Sequence, residues 1–467
     1  MTRVDLDDTL NKVATPPGEG AIGIVRLSGS QSLPIGKRCF RRQKSGKWQS
    51  HRAYVGLVCD PANNERVDQA LCTYMRRPHS YTGEDVVEFS CHGSPAVLRK
   101  TLALLVAQGA RLARPGEFTL RAFLNGKLDL AQAEAVMDVV RARTGKGLSF
   151  ALDQLDGRLS RHIQQLRQQA LGLLARLEAN IDFSEDDVPA VPAHEVEATI
   201  ADMLSALDQL LATAQSGALV RDGVPAVLVG RPNVGKSSLL NAFLSADRAI
   251  VTDIPGTTRD VLEETVDVDG IPLVLADTAG IADTHDVVEQ LGVERSRASL
   301  AAARLIILVL DSSMALQPAD HDVIAEVNSA RAADPDRRTI IALNKVDKTR
   351  VLFSNDVQHV LNGSPVVQTS AVTNDGLEAL RASISEILLQ GGLPADSAVV
   401  TSFRHQEVLQ EARTALMEAR QAAADDLPVD FVCIGLRAAM NAFGELTGES
   451  ATEDLLDRIF GEFCIGK

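Results

Sequence analysis

Eight consecutive residues, Gly230-Arg-Pro-Asn-Val-Gly-Lys-Ser237, carry the spacing G-x-x-x-x-G-K-S. That is the pattern of a loop that grips the phosphates of a nucleoside triphosphate. Its chemistry follows from the residue types. Backbone N–H groups around Gly235, from Asn233 and Val234 to Ser238, can cradle phosphates, and a helix starting there adds a favourable dipole. Lys236 reaches the outer phosphates, and Ser237 offers its hydroxyl to Mg²⁺.

Two later motifs choose the base. In Asp277-Thr278-Ala279-Gly280 the carboxylate can hold Mg²⁺ through water, and the Gly280 N–H can sense a γ-phosphate. In Asn344-Lys345-Val346-Asp347 the carboxylate can accept two hydrogen bonds from N1–H and the exocyclic amine of guanine. Adenine lacks that pair of donors and would leave a buried Asp347 unsatisfied. Ser370-Ala371 completes the base side. Between the first two motifs lies Thr252-Asp253-Ile254-Pro255-Gly256-Thr257-Thr258, where Thr257 and Thr258 fall at the place of a switch threonine on Mg²⁺. The whole set resembles the translation-factor-related GTPases.

Hydrolysis needs a further group. Ile281 follows Gly280 where many small GTPases carry a water-orienting glutamine, and isoleucine cannot hydrogen-bond water. Glu289 is the candidate base, carried by a segment that can swing its carboxylate towards the water; on its own residues it also reads as a surface helix carboxylate. No arginine finger is evident. The Asn233 side-chain oxygen, with carbonyls near Thr252 and Ile254, can instead hold a K⁺ beside the phosphates.

These residues need a frame. From about Val224 to Leu389, apolar runs at Ala226–Val229, Leu273–Ala276, Leu305–Leu310, Ile340–Leu343 and Val366–Gln368 alternate with helical stretches. That predicts a mostly parallel α/β sheet. Residues 10 to 125 mix short apolar runs (Ala21–Leu27, Tyr54–Val58, Asp85–Phe89) with Gly and Pro turns, an α+β texture. From Leu128 the pattern is helical. Leu152, Leu155, Leu159, Ile163, Leu166, Ala170, Leu173 and Leu177 predict one stripe along a long helix, broken at most at Gly157. Helix resumes over about His194–Ala214 and again after Pro394. The chain therefore reads as a multidomain α/β and all-α protein. Residues 1–125 form an N-terminal α+β domain, 126–222 and 391–467 the two halves of a discontinuous helical domain, and 223–390 an inserted Ras-like P-loop G domain.

The bulk numbers bound the partners. A net charge of −15 over 467 residues argues against wholesale coating of nucleic acid, although Lys37–Lys47 (KRCFRRQKSGK) is a local basic run that also reads as a solvated loop. There is no signal-peptide core and no apolar run long enough to span a membrane. The six cysteines form no C-x-x-C pair, so neither a zinc site nor a disulfide framework is signalled, and a reducing cytoplasm is expected.

The flanks carry a specific resemblance. The tail Phe463-Cys-Ile-Gly-Lys467 is similar to that of the tRNA-modification GTPases of the MnmE (TrmE) family. So are Ala14-Thr-Pro-Pro-Gly18 with Gly23-Ile-Val-Arg26, Tyr81-Thr-Gly-Glu-Asp-Val-Val-Glu88 and Arg114-Pro-Gly-Glu-Phe118. Ala122-Phe-Leu-Asn-Gly-Lys-Leu-Asp-Leu-Ala-Gln-Ala-Glu134 and Leu446-Thr-Gly-Glu449 complete the series.

The resemblance implies a homodimer whose N-terminal domain dimerises and binds 5-formyl-tetrahydrofolate. It implies a FAD-dependent partner, MnmG (GidA), in a heterotetramer, and an aminomethyl-type modification at C5 of the wobble uridine of certain tRNAs. It also implies K⁺-activated GTP hydrolysis through dimerisation of the G domains. Matched residue by residue, Asn233, Thr252, Ile254 and Thr257 correspond to the family's K⁺ site, Ser237 and Thr258 to its Mg²⁺ ligands and Glu289 to its catalytic carboxylate. Arg26, Glu88, Lys127 and Lys467 correspond to folate contacts. Cys464 corresponds to the thiol assigned to the modification chemistry, with a small buried thiol as the alternative. Pro255 departs from the small residue frequent in the potassium loop, but the Ile254 carbonyl stays available. The competing function is a GTP-regulated RNA-binding assembly factor without modification chemistry, which has no use for a folate pocket.

Overall fold

A computed structural model describes residues 8–182, 191–246, 263–276, 299–389, 398–463 and 466. The expectations for Thr252–Thr258, Asp277–Gly280, Ile281, Glu289, Cys464 and Lys467 lie outside the described residues.

Strands β1 (Leu10–Val13), β2 (Gly20–Ser28), β3 (Phe40–Arg42), β4 (Arg52–Cys59), β5 (Arg66–Met75), β6 (Val86–Gly93) and β7 (Arg111–Leu112) form one sheet in the order β3-β4-β5-β6-β2-β1-β7. Only β1 and β7 pair in parallel. Alternation sends Val25, Leu27, Cys72, Tyr74, Val87, Phe89 and Cys91 inward. Helices Ser32–Cys39 and Pro95–Ala107 cover that face through Ile35, Cys39, Leu98 and Leu105. The fully buried Arg121, on helix Glu117–Leu124, pairs with Asp8 and with Glu84 Oε1 at 3.0 Å. It thereby pins the Tyr81–Glu88 segment against that helix.

The long helices of the helical frame share an aliphatic core. Helix Arg158–Asp182 contributes Leu159, Ile163, Leu166, Ala170, Leu173 and Leu177 at steps of three and four, the periodicity of one helix face. Helices Ala193–Ala212, Phe403–Ala424 and Val429–Thr447 pack on it. The predicted break falls at Gly157, whose φ of 78° separates helix Gly145–Leu155 from the longer one. The stripe does not cross that break. Leu152 is exposed and Leu155 joins a different cluster, because the turn rotates the earlier helix away from the core.

The chain leaves this frame along helix Ala214–Asp222 and returns at residues 398–402. In between stands a second sheet of β8 (Val224–Val229), β9 (Glu263–Val268), β10 (Ile271–Ala276), β11 (Leu305–Asp311), β12 (Arg338–Asn344) and β13 (Val366–Gln368). Its order is β13-β12-β11-β8-β10-β9, parallel except for the edge strand β9. Every residue of β11 is buried, as expected for a strand covered on both faces. All five predicted strands are present. The sequence Glu-Glu-Thr-Val-Asp-Val of β9 was not recognised as a strand, because an antiparallel edge strand can be largely polar.

The C-terminal helix Glu453–Gly461 leaves the helical core. Phe460 and Phe463 pack with Leu120, Leu130 and Met137, and Gly466 lies against Val13 and Ala14. Gly466 is thus placed beside the N-terminal sheet.

Candidate guanine-nucleotide and folate sites

The phosphate loop sits where parallel β8 gives way to helix Lys236–Ala246, at the carboxyl end of the sheet. The loop turns on three positive φ angles, Gly230 (158°), Asn233 (63°) and Gly235 (100°). Gly235 is required twice over. Its backbone is left-handed, and an added Cβ would stand 2.3 Å from Asn344 Nδ2. Lys236 Nζ donates to the carbonyls of Gly230 at 2.7 Å and Arg231 at 3.0 Å, and burial draws its pKa below the ordinary lysine value.

The base motif reaches back into this loop. Buried Asn344 donates from Nδ2 to the Val234 carbonyl at 2.9 Å and accepts at Oδ1 from the Ala371 N–H at 3.2 Å. One side chain thereby ties the phosphate loop, the Asn344–Asp347 turn and the Ser370-Ala371 segment together. Lys345, itself at φ 66°, donates from Nζ to the Asn233 carbonyl at 2.5 Å and to Asp311 Oδ2 at 2.7 Å. Ser370 Oγ donates to Asp347 Oδ1 at 2.6 Å and accepts from the Val372 and Thr373 N–H groups. Asp347 is exposed rather than buried, so the predicted discrimination by an unsatisfied buried carboxylate requires the base itself to cover it.

Two supports escaped sequence reasoning. Asp311 closes β11 beside the loop. Burial raises its carboxyl, but bonds from Lys345 and Ser313 outweigh burial and hold its pKa below the ordinary range. An acid ending a wholly apolar strand at the carboxyl edge was the available signal. Arg231 Nε donates to Asp320 Oδ2 at 3.1 Å on helix Pro318–Ala333, and nothing local in the sequence announces that pair.

The N-terminal sheet carries a second constellation. Arg26 on β2 and Glu88 on β6 are direct cross-strand partners, and Arg26 Nε donates to Glu88 Oε1 at 2.7 Å. The guanidinium lies 5.6 Å from the ring centres of both Tyr81 and Phe118. Burial raises the pKa of Tyr81, whose hydroxyl is 2.8 Å from Thr119 Oγ1. Exposed Lys127 lies along the same segment, its side chain against Gly83, while Asn125 Nδ2 donates to the Thr82 carbonyl at 2.7 Å. The Tyr81–Gly83 segment thus touches Arg26 at Tyr81 and Lys127 at Gly83. The described cysteines Cys39, Cys59, Cys72, Cys91 and Cys433 are buried free thiols.

The fold and site define a P-loop guanine-nucleotide-binding domain inserted into a helical frame behind an N-terminal α+β domain. The model of the MnmE helical domain matches residues 130–464, and that of the GTP-binding protein TrmE N-terminus matches residues 9–127. Proteins called tRNA modification GTPase MnmE align along the full chain. That of Desulforamulus reducens is 43% identical over 467 residues, covering 99% of this chain and 100% of its own. That of Latilactobacillus sakei is 44% identical over 467 residues, covering 100% of each. That of Roseiflexus castenholzii is 46% identical over 472 residues, covering 99% of each. The chain belongs to the MnmE (TrmE) family of tRNA modification GTPases.

Proposed function

We propose that the chain is a potassium-activated GTPase that, with an MnmG (GidA) flavoprotein, modifies C5 of the wobble uridine of certain tRNAs. The modification is of the aminomethyl or carboxymethylaminomethyl type, and its one-carbon unit comes from 5-formyl-tetrahydrofolate. The observation that carries the reading is one chain holding both constellations: Asn344 and Lys345 locked onto the phosphate loop, and the Arg26–Glu88 pair against Tyr81 and Phe118. The first fits a guanine nucleotide. The second fits a folate: an aromatic wall suits its flat pterin, Glu88 can accept from the pterin amine, and Arg26 and Lys127 can pair with polar ring edges or with the carboxylates of its glutamate tail. A GTP-regulated assembly factor explains only the first.

Within the G domain, Lys236 and the N–H groups from Asn233 to Ser238 hold the phosphates. Asp347 reads guanine, backed by Ser370 and Ala371. Ser237 and Thr258 would supply hard oxygen ligands to Mg²⁺, with Asp277 acting through water. Asn233, Thr252, Ile254 and Thr257 would hold K⁺, which supplies positive charge beside the phosphates. Glu289 serves as the base that positions and deprotonates water, and Asp253, Pro255, Gly256, Thr278, Ala279 and Gly280 complete the nucleotide-facing segments. Lys467 joins Arg26, Glu88 and Lys127 on the folate, and Cys464 serves the modification chemistry.

The functional units follow the boundaries 1–125, 126–222, 223–390 and 391–467. Homodimerisation through the N-terminal sheet is supported by its open face, where Val55 and Leu71 are cross-strand neighbours and Ile22 is 62% exposed. tRNA finds a positive surface despite the acidic total, because no Asp or Glu occurs between Glu19 and Asp60. The protein acts in the cytoplasm, and among the described residues no helix is long and apolar enough to cross a membrane.

The salt test is direct. Replacing K⁺ by Na⁺ at equal ionic strength should slow GTP turnover strongly, because Na⁺ is too small for a site of carbonyl and amide oxygens. Equal rates would remove Asn233 from the metal site.

A further inference from the structure

Helix Leu130–Arg141 begins three residues after Lys127, with Asp129 and Gln132 closing its first turn in a capping box. One face of it carries two carboxylates a turn apart, Glu134 and Asp138. Glu134 accepts from Arg404 Nε and Nη2, both at 2.8 Å, and from His405 Nε2 at 2.5 Å. Arg404 and His405 open the helix on which the chain returns from the G domain. Asp138 accepts from Arg221 Nε at 2.8 Å, in the last turn of the helix that leads out to β8. A single helix therefore grips both crossings between the helical frame and the G domain.

The crossings are also laced to each other. The Val400 N–H donates to Thr213 Oγ1 at 3.0 Å, and a Cβ on Gly217 would stand 2.1 Å from the Val400 carbonyl. Gln154 joins the Ala131 carbonyl to Thr401 Oγ1, at 3.0 and 3.1 Å. Just beyond the helix, Thr144 Oγ1 donates to the Gly270 carbonyl at 2.8 Å. Gly270 is the turn that starts β10, and β10 runs from there to the nucleotide end of the sheet at Ala276. The joint is not solid: a cavity of about 70 Å³ is lined by Asp138, Arg141, Phe150, Arg221 and Thr401.

Charge pairs make this a stiff linkage, Glu134 with Arg404 largely buried and Asp138 buried against half-buried Arg221. Separating Glu134 from Arg404 would leave uncompensated charge in the interior, so the returning crossing and the helix must move together. On the Asp138 side the cavity supplies room for displacement without overpacking. We propose that Glu134 and Asp138 are positioning residues, through which helix Leu130–Arg141 carries the nucleotide condition of the G domain to the Lys127 loop. The proposal rests on reading the G domain as a GTP switch and Lys127 as a folate contact.

The test is hydrogen–deuterium exchange of residues 120–132 in the full-length protein, with GDP and with a non-hydrolysable GTP analogue. Wild type should show exchange in that segment differing about fivefold or more between the two nucleotides. Asp138→Asn should reduce the difference to about twofold or less, with GTP KM unchanged, and Asp138→Glu should restore part of it. Arg221→Lys repeats the test from the other partner should the first variant fold poorly. No nucleotide-dependent difference in wild type, or a full difference in Asp138→Asn and Arg221→Lys, overturns the proposal. Binding of 5-formyl-tetrahydrofolate is measured on the same samples. A wild type that shows the exchange difference but binds no folate rejects the pocket and leaves the linkage standing.

Discussion

Asn344 shows at the scale of one residue how the nucleotide site is held in shape. Its amide satisfies a phosphate-loop carbonyl on one side and the Ala371 N–H on the other, from inside the sheet edge. Asn344→Ala leaves the buried Val234 carbonyl and the half-buried Ala371 N–H without that partner, at about 1–3 kcal/mol. GTP affinity should fall about 5- to 150-fold, measured with a fluorescent nucleotide. An unchanged affinity would show that the two motifs are independent. Sequence made the motif residues legible because their spacing is set by the ligand. It could not reveal that Asn344 and Lys345 brace Val234 and Asn233 more than a hundred positions away. The exposure of Asp347 was equally hidden, since solvent access belongs to the folded surface.

At the scale of elements, helix Leu130–Arg141 and the β3–β4 hairpin make separate predictions. Burial alone would raise the Glu134 carboxyl, but His405 and Arg404 outweigh it and hold the pKa down to about 2, against an ordinary 4.5. A carboxyl depressed in the folded protein contributes stability that is complete above its unfolded pKa and lost as pH falls towards the folded one. Glu134→Gln should therefore cost about 3–5 kcal/mol at neutral pH. The gap from wild type should close as pH falls from about 4.5 to 2, read from urea unfolding midpoints. A gap independent of pH would assign the loss to shape alone.

In the hairpin, Arg42 lies 4.9 Å from the Trp48 ring centre and 4.8 Å from that of Tyr54, and it donates to the carbonyls of Gly46 and Lys47. That fixes a turn from which exposed Lys44 and Lys47 project. Changing both lysines to Gln should lower the salt dependence of tRNA binding by about 1–2 in log–log slope, with GTP turnover intact. An unchanged slope would return the run to a solvated loop. Element boundaries followed the sequence where periodicity was strong, as in the stripe from Leu159 to Leu177. They failed for β9, whose strand character comes from pairing with β10 rather than from apolar residues.

For the whole molecule, the insertion was readable because helical texture stops near Asp222 and resumes beyond Pro394. The joint was not readable, because Glu134 meets its partners across 270 positions of sequence. Nor did the sequence announce that the C-terminal helix would abandon the helical core and bring Gly466 to Val13 and Ala14. That places Gly466 beside the sheet that carries Arg26 and Glu88. The most direct measurement is nucleoside analysis of tRNA from cells lacking the gene, complemented with wild type or with Lys236→Ala. C5-modified wobble uridines should vanish on deletion, return with wild type and stay absent with Lys236→Ala. Modified uridines at wild-type levels in the deletion strain would contradict the account.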